Sequence, residues 1–156
     1  MKKLTILTII FLIFISIMMF SKPNRSNTSY AQGGSQASDL QLLARAINGE
    51  ARGESYEGQV AVGAVILNRV KHSDFPNTIA GVIYQPGAFT AVSDGQINVP
   101  IDENSTVYKA AQDAMNGWDP TNGCIYYFNP NTATSSWIWS RTIVKTIGKH
   151  HFFFFF

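Results

Sequence analysis

DLQLLARAINGEARGESYEGQVAVGAVILNR, residues 39–69, decides the fold. Leu43 and Ile47 lie on one stripe of a helix, with Leu40 and Ala44 beside them. Glu50 follows Leu43 by seven residues, about 700° of rotation, so it falls within about 20° of the same line. If the helix runs that far, its core-facing stripe ends in an acid. A carboxyl group held against apolar surface resists ionising, and a carboxyl that keeps its proton can serve as a general acid. The alternative is that Asn48-Gly49 stops the helix, since glycine commonly ends one, and that Glu50 is a solvated loop residue. The second half of the stretch predicts a helix over 57–71. Val60, Ala61, Val62, Ala64, Val65, Ile66, Leu67 and Val70 cover most of its circumference, so it is expected at the centre of a helix-rich domain.

Upstream, Ser38 is the expected N-cap of the first helix, 39–50, and residues 32–38 read as a flexible leader. Before them, Lys2 and Lys3 precede an uncharged apolar run, Leu4 to Phe20, and Ser29-Tyr30-Ala31 supplies small residues for cleavage. Residues 1–31 therefore read as an export signal. The alternative is an uncleaved anchor, with membrane association through residues 4–20. Of the chain's 12 Lys and Arg, four lie in this segment, which leaves eight against 10 acids, a net of −2. No basic footprint for nucleic acid remains. The one cysteine, Cys124, cannot form an internal disulfide, so stability must come from a core.

Downstream, a short helix is expected over 78–84, then a long loop from Gln85 to Asn104. A loop of that length inside a compact domain marks a functional segment or a wrong assignment. Ser105 should cap a helix over 106–117, stopped by Gly117. After Pro120 the pattern changes to strands: Ile125 to Phe128, Trp137 to Trp139, and Ile143 to Ile147. Helices first and a small antiparallel sheet after them is an α+β fold. The domain is taken as 39–152, and residues 153–156 as a low-complexity phenylalanine tail. The aromatics Trp137, Trp139, Tyr126, Phe128 and Tyr127 suit stacking on sugars, and they suit a hydrophobic core equally well.

Four runs carry a resemblance: GEARGESYEGQVAVGAVILNRV at 49–70, FPNTIAGVIYQPGAFTAV at 75–92, NGWDPTNGCIYYFNP at 116–130 and TSSWIWSRTIVKTIGKHHF at 134–152. With them, residues 40–151 resemble the catalytic domain of the spore cortex-lytic enzymes, the cell wall hydrolase family of sporulating bacteria. The resemblance implies a fold similar to lysozyme and the lytic transglycosylases, acting on peptidoglycan between N-acetylmuramic acid and N-acetylglucosamine. The family's essential glutamate is the first acid of GEARGE, here Glu50. The expected reaction is a lytic transglycosylation, in which one glutamate acts as acid and then as base and leaves a 1,6-anhydro ring. A hydrolytic version would need a second carboxylate. Glu54 is the nearest, though it is expected to pair with Arg52 or face solvent, and Asp94 and Asp102 read as turn formers.

Gln85, Phe89, Thr90, Tyr127, Asn129 and Trp137 are the expected substrate-binding residues, since they join the long loop to a strand end within the resemblance. Arg141 would contact peptide-stem carboxylates or pair with an acid. Members often carry a separate peptidoglycan-binding domain ahead of the catalytic one, whereas here only about ten residues lie between the signal and the domain. A Cys124–His150 peptidase is disfavoured, because no helix N-terminus lies there to activate the thiol. His72, His150 and His151 lack a zinc-binding HExxH spacing, so no metal and no cofactor is expected. A non-catalytic wall-binding protein is the remaining alternative. The expected form is an exported monomer working at the cell wall or spore envelope.

Overall fold

The computed structural model describes residues 31–154, with side chains from Ser38 onward. The segment read as a signal, including residues 4–20, lies outside the described residues apart from Ala31. The chain divides into two units, Met1–Gln32 and Gly33–Phe156, and the second holds the core and the sheet. Among the described residues no helix is long and apolar enough to cross a membrane.

Helix α1 is Ala31–Ala51 and α2 is Tyr56–Lys71. Two short helices follow, α3 (Ile79–Ile83) and α4 (Thr90–Ser93), then a 3-10 turn at Gln96–Asn98. Helix α5 is Thr106–Met115. The strands are β1 (Tyr126–Phe128), β2 (Lys145–Ile147) and β3 (His150–Phe153), antiparallel in the order β1-β3-β2. The α+β arrangement is as expected.

Helix α2 is the buried centre. It starts where the Ser55 side chain accepts from the Gly58 N–H, and Val60, Ala61, Val62, Val65 and Ile66 are fully buried. Each face meets a different neighbour. Val62 and Ile66 join the main core with Leu43, Ile47 and Ile83. Ala61 and Val65 pack with Cys124, Ile147 and Phe152. Val60 packs with Ala110 and Ala114 of α5. A helix apolar nearly all round is stable only when every face is covered in this way.

Five expectations are corrected. Helix α1 begins at Ala31, so Ser38 lies inside it and residues 32–38 are helical rather than a loose leader. The loop 85–104 folds into α4 and the 3-10 turn; Arg52 Nη1 donates to Gln96 Oε1 at 2.9 Å, and Gln41 and the Ile101 backbone exchange two hydrogen bonds at 3.1 Å. Trp137 to Trp139, read as a strand, lies within a 3-10 helix, Ser136–Ser140. The Ser140 hydroxyl donates to the Trp137 carbonyl at 2.9 Å, a local bond that competes with a ladder, and the place beside β1 belongs to β3. Of the last expected strand, only Lys145–Ile147 is extended in the sheet.

The fifth correction concerns the phenylalanine run, which is no tail where it is described. Phe153 ends the central strand, and Phe152 and Phe153 are both fully buried. Neighbouring residues of a strand face opposite ways, so both can be buried only if both sides of the sheet are covered. Phe152 points into the α2 cluster. Phe153 stacks on Tyr126 with centroids 5.3 Å apart, beside Phe128 and Trp137. Phe152→Ala should destabilise the domain by about 3–5 kcal/mol, read as a lower urea midpoint at unchanged slope. A variant within about 1 kcal/mol of the parent would mean that the strand is not part of the cooperative core.

Candidate active site

Helix α1 does run past Asn48-Gly49, and Glu50 stands in its last turn. Both carboxylate oxygens meet a donor. The Ala91 N–H donates to Oε1 at 2.9 Å, and the Tyr127 hydroxyl donates to Oε2 at 3.1 Å. The expected apolar setting is thus only part of the environment, because the acid is half-buried with one donor on each oxygen. Gly49 makes the first bond possible. A Cβ there would overlap the Ala91 side chain and lie 3.3 Å from Ala91 Cα, so α1 and α4 touch through the missing methyl. Read as a stop signal, Gly49 is instead a point of close approach.

Glu50 opens into a cleft of about 440 Å³, large enough for a sugar-sized ligand. Its walls are Gly49 and Thr90 on the helical side, Tyr127, Phe128 and His150 from the sheet, and Asn129 just after β1. Thr132, Ala133, Thr134, Ser135 and Ile138 close the third side. The cleft thus contains one carboxylate, several hydroxyl and amide groups and aromatic edges. Hydroxyl-rich sugars need hydrogen-bonding groups interleaved with flat apolar surface, and this lining supplies both.

Three groups set the electrostatics. Tyr127 has its pKa pushed well above the usual phenol range, first by burial and then by the negative charge of Glu50, so its hydroxyl stays protonated and able to donate. Arg69 is buried; its Nε donates to the Ile125 carbonyl at 2.8 Å, and its guanidinium lies 5.3 Å from the rings of Phe75, Phe89 and Tyr126. Burial lowers the Arg69 pKa, and attraction to Tyr127, Tyr126 and Glu50 opposes that fall. His150 is lowered too, by burial first, against the pull of Glu54 and Glu50.

Glu54 does neither thing the sequence suggested. It turns inward, with its side chain 8% exposed, accepts the Lys149 N–H at 3.0 Å and lies 3.9 Å from Lys149 Nζ. Gly148, at φ +57°, brings the β2–β3 turn so close that a Cβ there would overlap Glu54 Oε2. Glu54 is therefore the pin of this turn and lines no part of the cleft. Glu54→Gln should cost about 1–3 kcal/mol of stability, seen as a lower midpoint in thermal melts. An unchanged midpoint would mean that Glu54 does not pin the turn.

Of the six expected binding residues, Thr90, Tyr127 and Asn129 line the cleft with Glu50. Phe89 is 4% exposed and lies under Arg69 in the core. Gln85 sits in the turn that closes α3, its carbonyl accepting the Ala88 N–H. Trp137 packs its edge against Tyr126, the neighbour of Tyr127 that points to the other side of β1. None of these three borders the cleft. Arg141 lines a different hollow with Ser140, Thr142, Val144 and Phe154, and its guanidinium lies over Trp137 at 5.3 Å. Cys124 is buried and its thiol is pushed up to about 11, by burial first, which disfavours a nucleophilic role. Sequence reasoning missed His150 as a cleft residue, and also Thr132, Thr134 and Ser135. For the last three a signal existed, the hydroxyl-rich run between β1 and Trp137.

The family model described as Cell Wall Hydrolase matches residues 53–153. The spore cortex-lytic enzyme of Bacillus cereus is 56% identical over 132 residues, 85% of this chain and 50% of that protein. The chain thus spans about half the length of that curated relative. The crystal structure of the catalytic domain of the Bacillus cereus SleB protein superposes with a TM-score of 0.71 at 56% identity, covering 85% of this chain and 99% of that one. The catalytic domain of a germination-specific lytic transglycosylase, SleB from Bacillus anthracis, gives 0.70 at 55% identity, with the same coverage. The fold is the lysozyme-like α+β fold of these domains.

Proposed function

The chain belongs to the cell wall hydrolase family, and from that premise we propose that it cleaves peptidoglycan glycan strands between N-acetylmuramic acid and N-acetylglucosamine. Glu50 is the acid and base of the reaction, and the product carries a 1,6-anhydromuramic end. The observation that carries this reading is that Glu50 is the one carboxylate among the described residues lining the cleft.

The two hydrogen bonds support one placement of the proton in this reaction. Ala91 N–H can only donate, so Oε1 must stay an acceptor. The acidic proton therefore sits on Oε2, facing a tyrosine hydroxyl that can either donate or accept. Oε2 delivers the proton to the bridging oxygen as its bond to the muramic carbon breaks. The carboxylate left behind keeps both donors, which stabilises its charge. It then takes the proton of the same sugar's 6-hydroxyl, whose oxygen closes onto the carbon. No water enters and no second carboxylate is required. A hydrolase would need a second acid at the cleft, and Glu54 is committed to the β-turn.

The names of the relatives point to spore cortex as the wall in question, with the protein exported to the spore envelope or cell wall. Thr90, Tyr127 and Asn129 bind the glycan. The test is mass spectrometry of peptidoglycan digested by the chain, beside Glu50→Gln. Anhydromuramic ends made only by the parent chain support the reading. Reducing muramic ends would make it a hydrolase, and intact glycan with wall binding retained would make it a non-catalytic binder.

A further inference from the structure

We propose that His150 is a further substrate-contacting residue of the cleft, its Nε2–H donating to the acetamido carbonyl of a sugar beside the scissile bond. This rests on the glycan-cleaving reading above. His150 lines the cleft with Glu50, yet is only 6% exposed. Its Nδ1 is sealed from solvent and has no hydrogen-bond partner among the described residues. Around the ring stand apolar surfaces: Tyr127 edge-on at 5.0 Å and Phe152 at 6.3 Å. The remaining polar atom, Nε2, is the one through which the side chain can address the cleft. The residue sits on the central strand, paired with Ile147, so the ring is held in place rather than swinging from a loop.

The tautomer follows from the cost of burial. An orphaned buried N–H is rarer than an orphaned acceptor, so the proton belongs on Nε2 and the bare lone pair on Nδ1. Burial opposes a charge on the ring more than Glu50 and Glu54 favour it, while Lys149 repels one. His150 is thus an uncharged donor facing a carbohydrate cleft. An amide carbonyl is the strongest neutral acceptor on an N-acetylated sugar, and a site built around one fixed donor discriminates against a ligand lacking its partner. The sequence placed His150 only beside Cys124 or zinc, and neither accounts for its unpaired Nδ1.

The experiment compares the full chain with His150→Phe and His150→Gln on peptidoglycan before and after N-deacetylation. On acetylated wall, His150→Phe should raise KM about fivefold to tenfold with kcat nearly unchanged, and His150→Gln should recover much of the loss. On deacetylated wall the difference between parent and His150→Phe should vanish, because the bond has already been lost from the substrate side. An equal loss on both substrates would mean a structural role and would overturn the proposal, as would a His150→Phe variant matching the parent on both. Nitrogen NMR of the parent chain, labelled at histidine, does not depend on variant folding. The Nε2–H tautomer, with its resonance moved by a chitin oligosaccharide, supports the proposal; an Nδ1–H tautomer or an unmoved resonance refutes it. If the parent cleaves no glycan at all, the functional reading itself has failed, a result distinct from these.

Discussion

Glu50→Gln lowers kcat on peptidoglycan by about 10³-fold or more, with KM nearly unchanged and thermal stability retained. The amide has the shape of the acid. Its oxygen can keep the Ala91 N–H bond, now 2.9 Å long, and its NH₂ can donate to the Tyr127 oxygen, which rotates from donor to acceptor. The cleft is therefore preserved while the transferable proton is lost. General acid–base help is worth about 10²- to 10⁴-fold for one group. In the proposed reaction the same side chain acts in both halves, so the upper part of that range is expected. A kcat within about tenfold of the parent would mean that another acid does the work. A collapse of thermal stability would mean that the two hydrogen bonds are structural before they are chemical. Glu50→Asp makes a useful companion: it keeps the proton but withdraws it by about one methylene from both donors and substrate.

The readable parts were those where one element decides its own environment. Helix α2 is apolar on every side, and only a central position covers every side, so its place followed from its residues. The stripe Leu43–Ile47–Glu50 likewise put the acid at the end of a core-facing line. What the sequence concealed depends on partners distant along the chain. Phe152 and Phe153 look like part of a sticky run until β1 and β2 flank them and α2 covers one side of the sheet. Trp137-Ile138-Trp139 reads like a strand, but the place beside β1 is taken, and the Ser140 hydroxyl bonds back to the Trp137 carbonyl within a 3-10 turn. Glu54 has no local signal for its role, because its partner, Lys149, is 95 residues away. The expected cleft residues were those that join the long loop to a strand end within the resemblance. That criterion cannot separate Thr90, Tyr127 and Asn129, which line the cleft, from Phe89, which is buried, or Trp137, which packs on Tyr126.

Gly49→Ala should cut kcat by about 10- to 100-fold while changing stability by only about 1–2 kcal/mol. The added methyl would overlap the Ala91 side chain and stand 3.3 Å from its Cα, with Gln96 Cβ at 3.4 Å. Carbon atoms settle at about 3.5–4.0 Å, so α4 must retreat by an ångström or so. Ala91 carries the N–H that holds Oε1, and hydrogen bonds weaken steeply over such a distance. Once Oε1 is free, nothing confines the proton to Oε2, and the carboxyl can rotate away from the bridging oxygen. The stability cost of overpacking, about 1–3 kcal/mol, is offset by the better helix propensity of alanine, about 1 kcal/mol, so activity should fall far more than stability. The mechanism also predicts a suppressor. Ala91→Gly removes the opposing methyl, and the double variant should regain most of the kcat lost by Gly49→Ala, a coupling that independent sites would not show. If the double variant is no better than the product of the two single effects, the contact between α1 and α4 is not what aims Glu50.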